Sequence, residues 1–262
     1  MPVNAYVVET PRAVVIVDTT LTVSDGRALR SLVDQIGKPL EAVLVTHPHP
    51  DHYGGAVEVV GDGQTPFVAA DGVDAVIRRD DEVKELIIRP MFGDEWPRER
   101  SFPNRTVRDG ETLVFDGVPF TVIDLGPGES PHDSVWLVGD DRKLAFAGDS
   151  AYEHVHCYLA DGFWQSWLGN IARLRSELAS DAQVHFGHGE PTSRAPFDWQ
   201  EGYITTFVDA IKASDWSDPE SAKAAVVTAM TDYLPASDLQ FLMELSVEPV
   251  ATQLGLIGAK GA

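Results

Sequence analysis

Residues 47–52 read His-Pro-His-Pro-Asp-His, four potential metal ligands within six positions. Imidazole nitrogens and carboxylate oxygens are donors that zinc and its borderline neighbours accept. Histidines at i and i+2 on an extended loop can turn both rings toward one ion, and the adjacent Asp51 and His52 can face a second ion from the following turn. Pro48 and Pro50 fix φ between the ligands, so less backbone freedom is lost on binding. A lone histidine is most often a satisfied core or surface residue. A full His-x-His-x-Asp-His string directly after an apolar run is far more specific.

The elements that must position this string can be read around it. Residues 3–9 and 12–18 are β-branched and apolar on either side of Thr10-Pro11, a hairpin pattern. Ser24 and Asp25 can cap a helix running to about Gln35, which Gly37-Lys38-Pro39 ends. Ala42 to Val45 form a short buried strand that runs straight into the histidines. Residues 71–105 are charged, helical at first and then irregular around Pro90, Pro97 and Pro103; the stretch 85–105 suits either a lid or an ordinary surface excursion. TLVFDGVPFTVIDL predicts a hairpin about Asp116-Gly117, and SVWLVGDDRKLAFAGDS another about residues 140–143. A helix over 165–179, a strand over 182–186 and three helical segments beyond Pro196 complete the chain. Strand and helix blocks in two similar halves point to sheets covered by helices on their outer faces.

At this point THPHPDHYGG is similar to the signature of the metallo-β-lactamase superfamily. The resemblance implies an α/β (α+β) fold, a four-layer αββα sandwich with metals at the sheet edges, here with extra C-terminal helices. The catalytic domain would span 1–195, with 196–262 a helical extension packed on it. The family's later ligands fall in order after strands: His132 in GPGESPHDS, Asp149 in LAFAGDS and His188 in VHFGHGE. By that likeness His47, His49 and His132 hold one metal, Asp51, His52 and His188 the other, and Asp149 bridges both together with a hydroxide. The implied cofactor is a pair of divalent ions, zinc first, with iron or manganese as alternatives. The catalytic set is then His47, His49, Asp51, His52 and Asp149, with Asp51 also a proton shuttle. Such a centre acidifies water and polarises a carbonyl, so hydrolysis needs no serine or cysteine nucleophile.

Asp18, ending VVIVDTT, resembles a common family position whose hydrogen bonds orient the ligand loops. His156 is a candidate for substrate contact, with structural hydrogen bonding as the default for it and for His154. His185 and Cys157 read as structural. Among the family's branches, Asp149 argues against antibiotic hydrolysis, and a glyoxalase II-like thioesterase would need basic residues where the C-terminal segment offers only Lys212, Lys223 and Lys260. The expected activity is therefore hydrolysis of a small-molecule lactone, ester or related acyl bond. A glyoxalase II-like thioesterase, a mononuclear iron sulfur dioxygenase and a non-enzymatic metal-binding module are the alternatives.

Bulk properties narrow the partners. Of 262 residues, 41 are acidic and 20 basic, a formal charge of −21, which disfavours nucleic acid. The single cysteine fits a reducing compartment, and the N-terminus reads as strand rather than leader. A cytoplasmic protein that acts on a small molecule, without membrane contact, is expected. Apolar residues in 238–256 raise pairing of chains into a homodimer.

Overall fold

The computed structural model describes residues 2–61 and 63–258; Lys260 lies outside them. Two five-stranded sheets face each other between layers of helix. In the first sheet, β1 (Tyr6–Glu9) pairs antiparallel with β2 (Val14–Val17). β3 (Leu40–Leu44), β4 (Phe67–Ala70) and β5 (Arg105–Val107) follow in parallel. In the second, β6 (Thr112–Phe115), β7 (Val118–Gly126), β8 (Asp133–Val138) and β9 (Leu144–Gly148) form an antiparallel run, to which β10 (Gln183–Phe186) adds in parallel. The hairpin between β6 and β7 turns on Asp116 and Gly117 at φ 47° and 82°, as its Asp-Gly pair predicts.

The period of two along the strands sorts side chains between two cores. In β8, Trp136 and Val138 point between the sheets, where they meet Val15, Val43 and Phe67. Val135 and Leu137 point outward to the helices. The helices of the first half are α1 (Val23–Ile36), the single turn α2 (Pro50–Tyr53), α3 (Ala56–Val60) and α4 (Asp71–Phe92). Over the second sheet lie α5 (Trp164–Glu177), α6 (Ala195–Ala213), α7 (Pro219–Tyr233) and α8 (Gln240–Gln253). Phe197, Tyr203, Phe207, Met243 and Val247 of these last helices share one buried core with Val135, Val184 and Phe186 of the sheet. No helix among the described residues is long and apolar enough to cross a membrane.

The segment 85–105 is more ordered than its prolines suggest. α4 continues through Pro90 to Phe92. Pro90 withholds one backbone donor near the helix end, and Arg89 ties down the chain beyond it by donating to the carbonyls of Gly93, Trp96 and Pro97 at 3.0, 2.8 and 3.1 Å. Trp96 is fully buried, and its indole donates to Glu85 at 2.7 Å. Arg100 joins Asp81 and Glu85. The chain after the helix is strapped back onto it.

Candidate metal centre

The ligand string lies where β3 leaves the sheet. His49 caps α2, Pro50 occupies its first turn, and Asp51 and His52 follow within that turn. Asp149 follows β9, and His188 lies two residues beyond β10, so these two and the four ligands of the string converge from the ends of strands that are otherwise apolar. Tight backbone packing brings these ends together: a Cβ on Gly187 would stand 2.0 Å from Asp149 Oδ1 and 2.5 Å from His52 Cε1.

Each imidazole is tied by one nitrogen and presents the other to a shared space. His47 Nδ1 lies 3.1 Å from Thr46 Oγ1, His49 Nε2 3.1 Å from Asp161 Oδ2, His52 Nδ1 2.8 Å from Asp18 Oδ2, and His188 Nδ1 2.6 Å from the Pro2 carbonyl. Outer-shell contacts of this kind set the tautomer and aim of a metal-ligating histidine. Asp18 also accepts from the backbone and hydroxyl of Thr46, both at 2.8 Å. It thus fixes the β3 loop and His52 together, with its own backbone in the left-handed region at φ 60°.

The inward-facing atoms are spaced as donors around common ions. His49 Nδ1 to Glu129 Oε2 is 3.0 Å, and His47 Nε2 to the same oxygen 3.7 Å. His188 Nε2 stands 3.3 Å from both Asp51 Oδ2 and Asp149 Oδ2, and His52 Nε2 3.4 Å from Asp149 Oδ1. Ligands held at about 2.0–2.2 Å around a tetrahedral ion are roughly 3.3 Å apart. Three overlapping groups result: His47, His49 and Glu129; His47, His52 and Asp149; Asp51, His52 and His188. His47 Nε2, His52 Nε2, Glu129 Oε2 and Asp149 Oδ1 are all buried without a hydrogen-bond partner. Buried polar atoms left in that state are costly, and cations shared among these groups would satisfy them, so the residues fit the metals that the resemblance implies.

Electrostatics point the same way. Burial, helped by the charges of Asp149 and Asp133, pushes the Glu129 carboxyl up to about 8 against the opposing pull of His49. Burial disfavours a charged His188, yet Asp149 and Asp51 outweigh it and raise that imidazole to about 10. Three buried carboxylates around four imidazoles create a well for positive charge.

Two expected site residues lie elsewhere. His132 is turned away from the cluster: its Nε2 meets Asp124 Oδ1 at 2.7 Å, and its ring lies over Gly72, where a Cβ would come within 2.0 Å. Glu129, three residues earlier, occupies the position expected of it. Asp133 causes the exchange by accepting from the backbone of Glu129 at 2.6 Å and from the backbone and hydroxyl of Ser130 at 3.1 and 2.5 Å. The loop is wound so that Glu129 faces inward, and Tyr152 secures it by donating to Oε1 at 2.9 Å. His156 does not face the site either. Its nitrogens pair with Tyr203 Oη at 2.8 Å and the Ala236 carbonyl at 3.1 Å, so it braces the C-terminal helices instead.

Glu129, Tyr152 and Asp161 are the site residues that sequence reasoning missed. They border a cavity of about 380 Å³ over the cluster, lined also by His49, Asp51, Asp149, Tyr158, His188 and apolar residues of α4 and α8. That size suits a small organic ligand. On one wall Lys84 donates to the Pro48 carbonyl and lies 5.3 Å over the Tyr53 ring, and burial lowers its ammonium to about 8.

A family model described as the metallo-beta-lactamase superfamily matches residues 1–188. Hydroxyacylglutathione hydrolase of Prochlorococcus marinus (strain MIT 9301) is 26% identical over 156 residues, covering 60% of this chain and 54% of that protein. Linear primary-alkylsulfatase of Pseudomonas sp. (strain ATCC 19151) is 26% identical over 220 residues, covering 71% and 41%. The chain thus spans about half the length of the curated relatives it matches. Among solved structures, a beta-lactamase domain protein from Burkholderia ambifaria superposes with a TM-score of 0.71 at 16% identity, covering 96% of this chain and 81% of that one.

Proposed function

The chain belongs to the metallo-β-lactamase superfamily, and from that premise we propose that it is a metal-dependent hydrolase of a small-molecule ester, lactone or related acyl bond. The observation that carries the reading is the set of four tethered imidazoles whose second nitrogens share one space with three carboxylates. His47, His49 and Glu129 would hold one divalent ion, Asp51, His52 and His188 a second, and Asp149 would join them. Bound there, such ions supply an acidified water and a Lewis acid for the carbonyl oxygen.

The chain's own groups do the rest. Asp18 and Asp161 fix the tautomers of His52 and His49, and Tyr152 fixes Glu129. Asp51 lines the cavity and is the carboxylate suited to carry a proton to the leaving group. Glu129 in place of a neutral histidine shifts the balance of charge. Two divalent ions against three carboxylates leave a single net positive charge, and none once a hydroxide is counted, which suits a polarised neutral carbonyl better than a multiply charged anion.

The experiment is metal analysis of protein purified without chelator, followed by a panel of lactones, carboxylic esters and thioesters. Thioesters belong there because hydroxyacylglutathione hydrolases are among the relatives. About two divalent ions per chain, with turnover lost on chelation and restored by zinc, is the expected result. A single iron with oxygen uptake on persulfides would replace the hydrolase with a dioxygenase.

A further inference from the structure

We infer that the substrate carries an uncharged, straight apolar chain, which leaves the metal centre between Ile87 and Ile88 of α4 and Leu242 of α8. The inference rests on the hydrolase reading and names the substrate class for that site. Part of the cavity lining away from the ligands is apolar: Val76, Ile87 and Ile88 of α4, with Pro131 and Leu242. The cations on the wall are engaged. Arg79 donates to both oxygens of Asp80 at 2.6 and 2.7 Å, and Lys84 is held by the Pro48 carbonyl. Asp80 and Asp161 stand on the same cavity, so an anionic tail would meet carboxylates as it entered.

The apolar surface does not stop at the mouth. Ile87 lines the cavity yet is 56% exposed. Val83 and Met91, four residues to either side on the same row of the helix, are 56% and 67% exposed. Rows of exposed apolar side chains on a protein of charge −21 call for a ligand that covers them. A chain leaving over Ile87 would cover this row. Leu242 lies beyond residues 1–188, so the wall it provides comes from outside the part that the family model matches.

The test is calorimetric titration of the metal-bearing protein with 1-alkanols from butanol to octanol, beside turnover of 4-nitrophenyl esters of rising acyl length. Each methylene the wall covers should tighten alkanol binding about fourfold, with ester kcat/KM following. Ile87→Asp and Leu242→Asp should flatten both series. Leu86→Asp, at a 76% exposed position of α4 outside the cavity, should leave both series unchanged. A flat alkanol series in the parent protein overturns the inference even where short esters are hydrolysed. So does a steep series that neither Asp variant alters. A steep series, flattened by the variants, in a protein that hydrolyses no ester would keep the chain site and remove the hydrolase reading.

Discussion

Asp161→Asn should weaken one metal and spare the other. In the folded chain Asp161 Oδ2 lies 3.1 Å from His49 Nε2, and Tyr158 Oη donates to Oδ1 at 3.4 Å. Burial raises the Asp161 pKa, but the hydrogen bond and charge of His49 outweigh it and hold it below the usual carboxylate range. The carboxylate therefore stays ionised at neutral pH and can only accept. That places the proton of His49 on Nε2 and leaves the Nδ1 lone pair facing Glu129. Asparagine can offer an amide hydrogen just as well as an oxygen, so the tautomer is no longer enforced.

A hydrogen bond to a charged group contributes about 1.5–3 kcal/mol. The Asp161 side chain is 24% exposed, so the lower part of that range applies. About 1.5–2 kcal/mol corresponds to roughly a 10–30-fold loss of affinity. The ring itself should hold its position, because Tyr158 packs edge-on against it at 5.3 Å and 85°. Titration of zinc against a chromophoric chelator separates the two binding steps. The step that falls to His47, His49 and Glu129 should weaken by that factor, while the step at Asp51, His52 and His188 stays within about threefold, the scatter expected of such contributions. Equal loss at both steps, or no loss at either, refutes the reasoning.

Other outcomes follow from the same geometry. Glu129→Ala should lose one of two ions on dialysis, whereas His132→Ala should keep both, by elemental analysis; the reverse pattern would reinstate His132 as the ligand. Gly187→Ala should strip metal without unfolding the sheets, because its Cβ would press on Asp149 and His52; full metal content with an unchanged circular dichroism spectrum counts against the close packing. Lys84→Met should change how stability varies with pH. Burial lowers Lys84 to about 8, so between about pH 8 and 10.5 the unfolded chain binds more protons and wild-type stability rises with pH. The variant's advantage at pH 7 should therefore shrink by up to about 3 kcal/mol by pH 10, from about 1.4 kcal/mol per pKa unit, as denaturant titrations at both values would measure.

How much was legible in the sequence depended on how local the signal was. His47 to His52 stood out because four donors and two prolines follow one strand without a break. Asp149 and His188 could be placed through the family resemblance, because each follows an apolar strand where that family's later ligands stand. In the loop 126–134 the resemblance pointed to His132, and nothing in the spacing marked Glu129. The choice is made by Asp133, whose three accepted hydrogen bonds wind the loop, and by Asp124 on β7, which takes the histidine ring. Asp161 is 112 positions from His49, and no periodicity links them. Pro90 looked like a helix end, because the bonds by which Arg89 fastens the chain beyond it reach carbonyls further along.

The C-terminal helices do more than cover the second sheet. The loop between β9 and α5 carries Tyr152, Tyr158 and Asp161 to the cavity, and it has no strand or helix to give it shape. Its shape comes from behind. Gln200 of α6 accepts from the Tyr152 amide at 3.0 Å, and Tyr203 pairs with His156 at 2.8 Å. The Ser246 hydroxyl of α8 accepts from the Leu159 amide at 2.8 Å, and Gln253 donates to the Gly162 carbonyl. Four side chains from α6 and α8 therefore hold the loop that orients His49 and Glu129 and supplies the aromatic wall. Residues 1–188 contain all the candidate metal donors, but the groups that aim two of them depend on helices beyond that boundary. Substitutions in α6 or α8 should accordingly reach the metal centre through this loop, without touching a ligand.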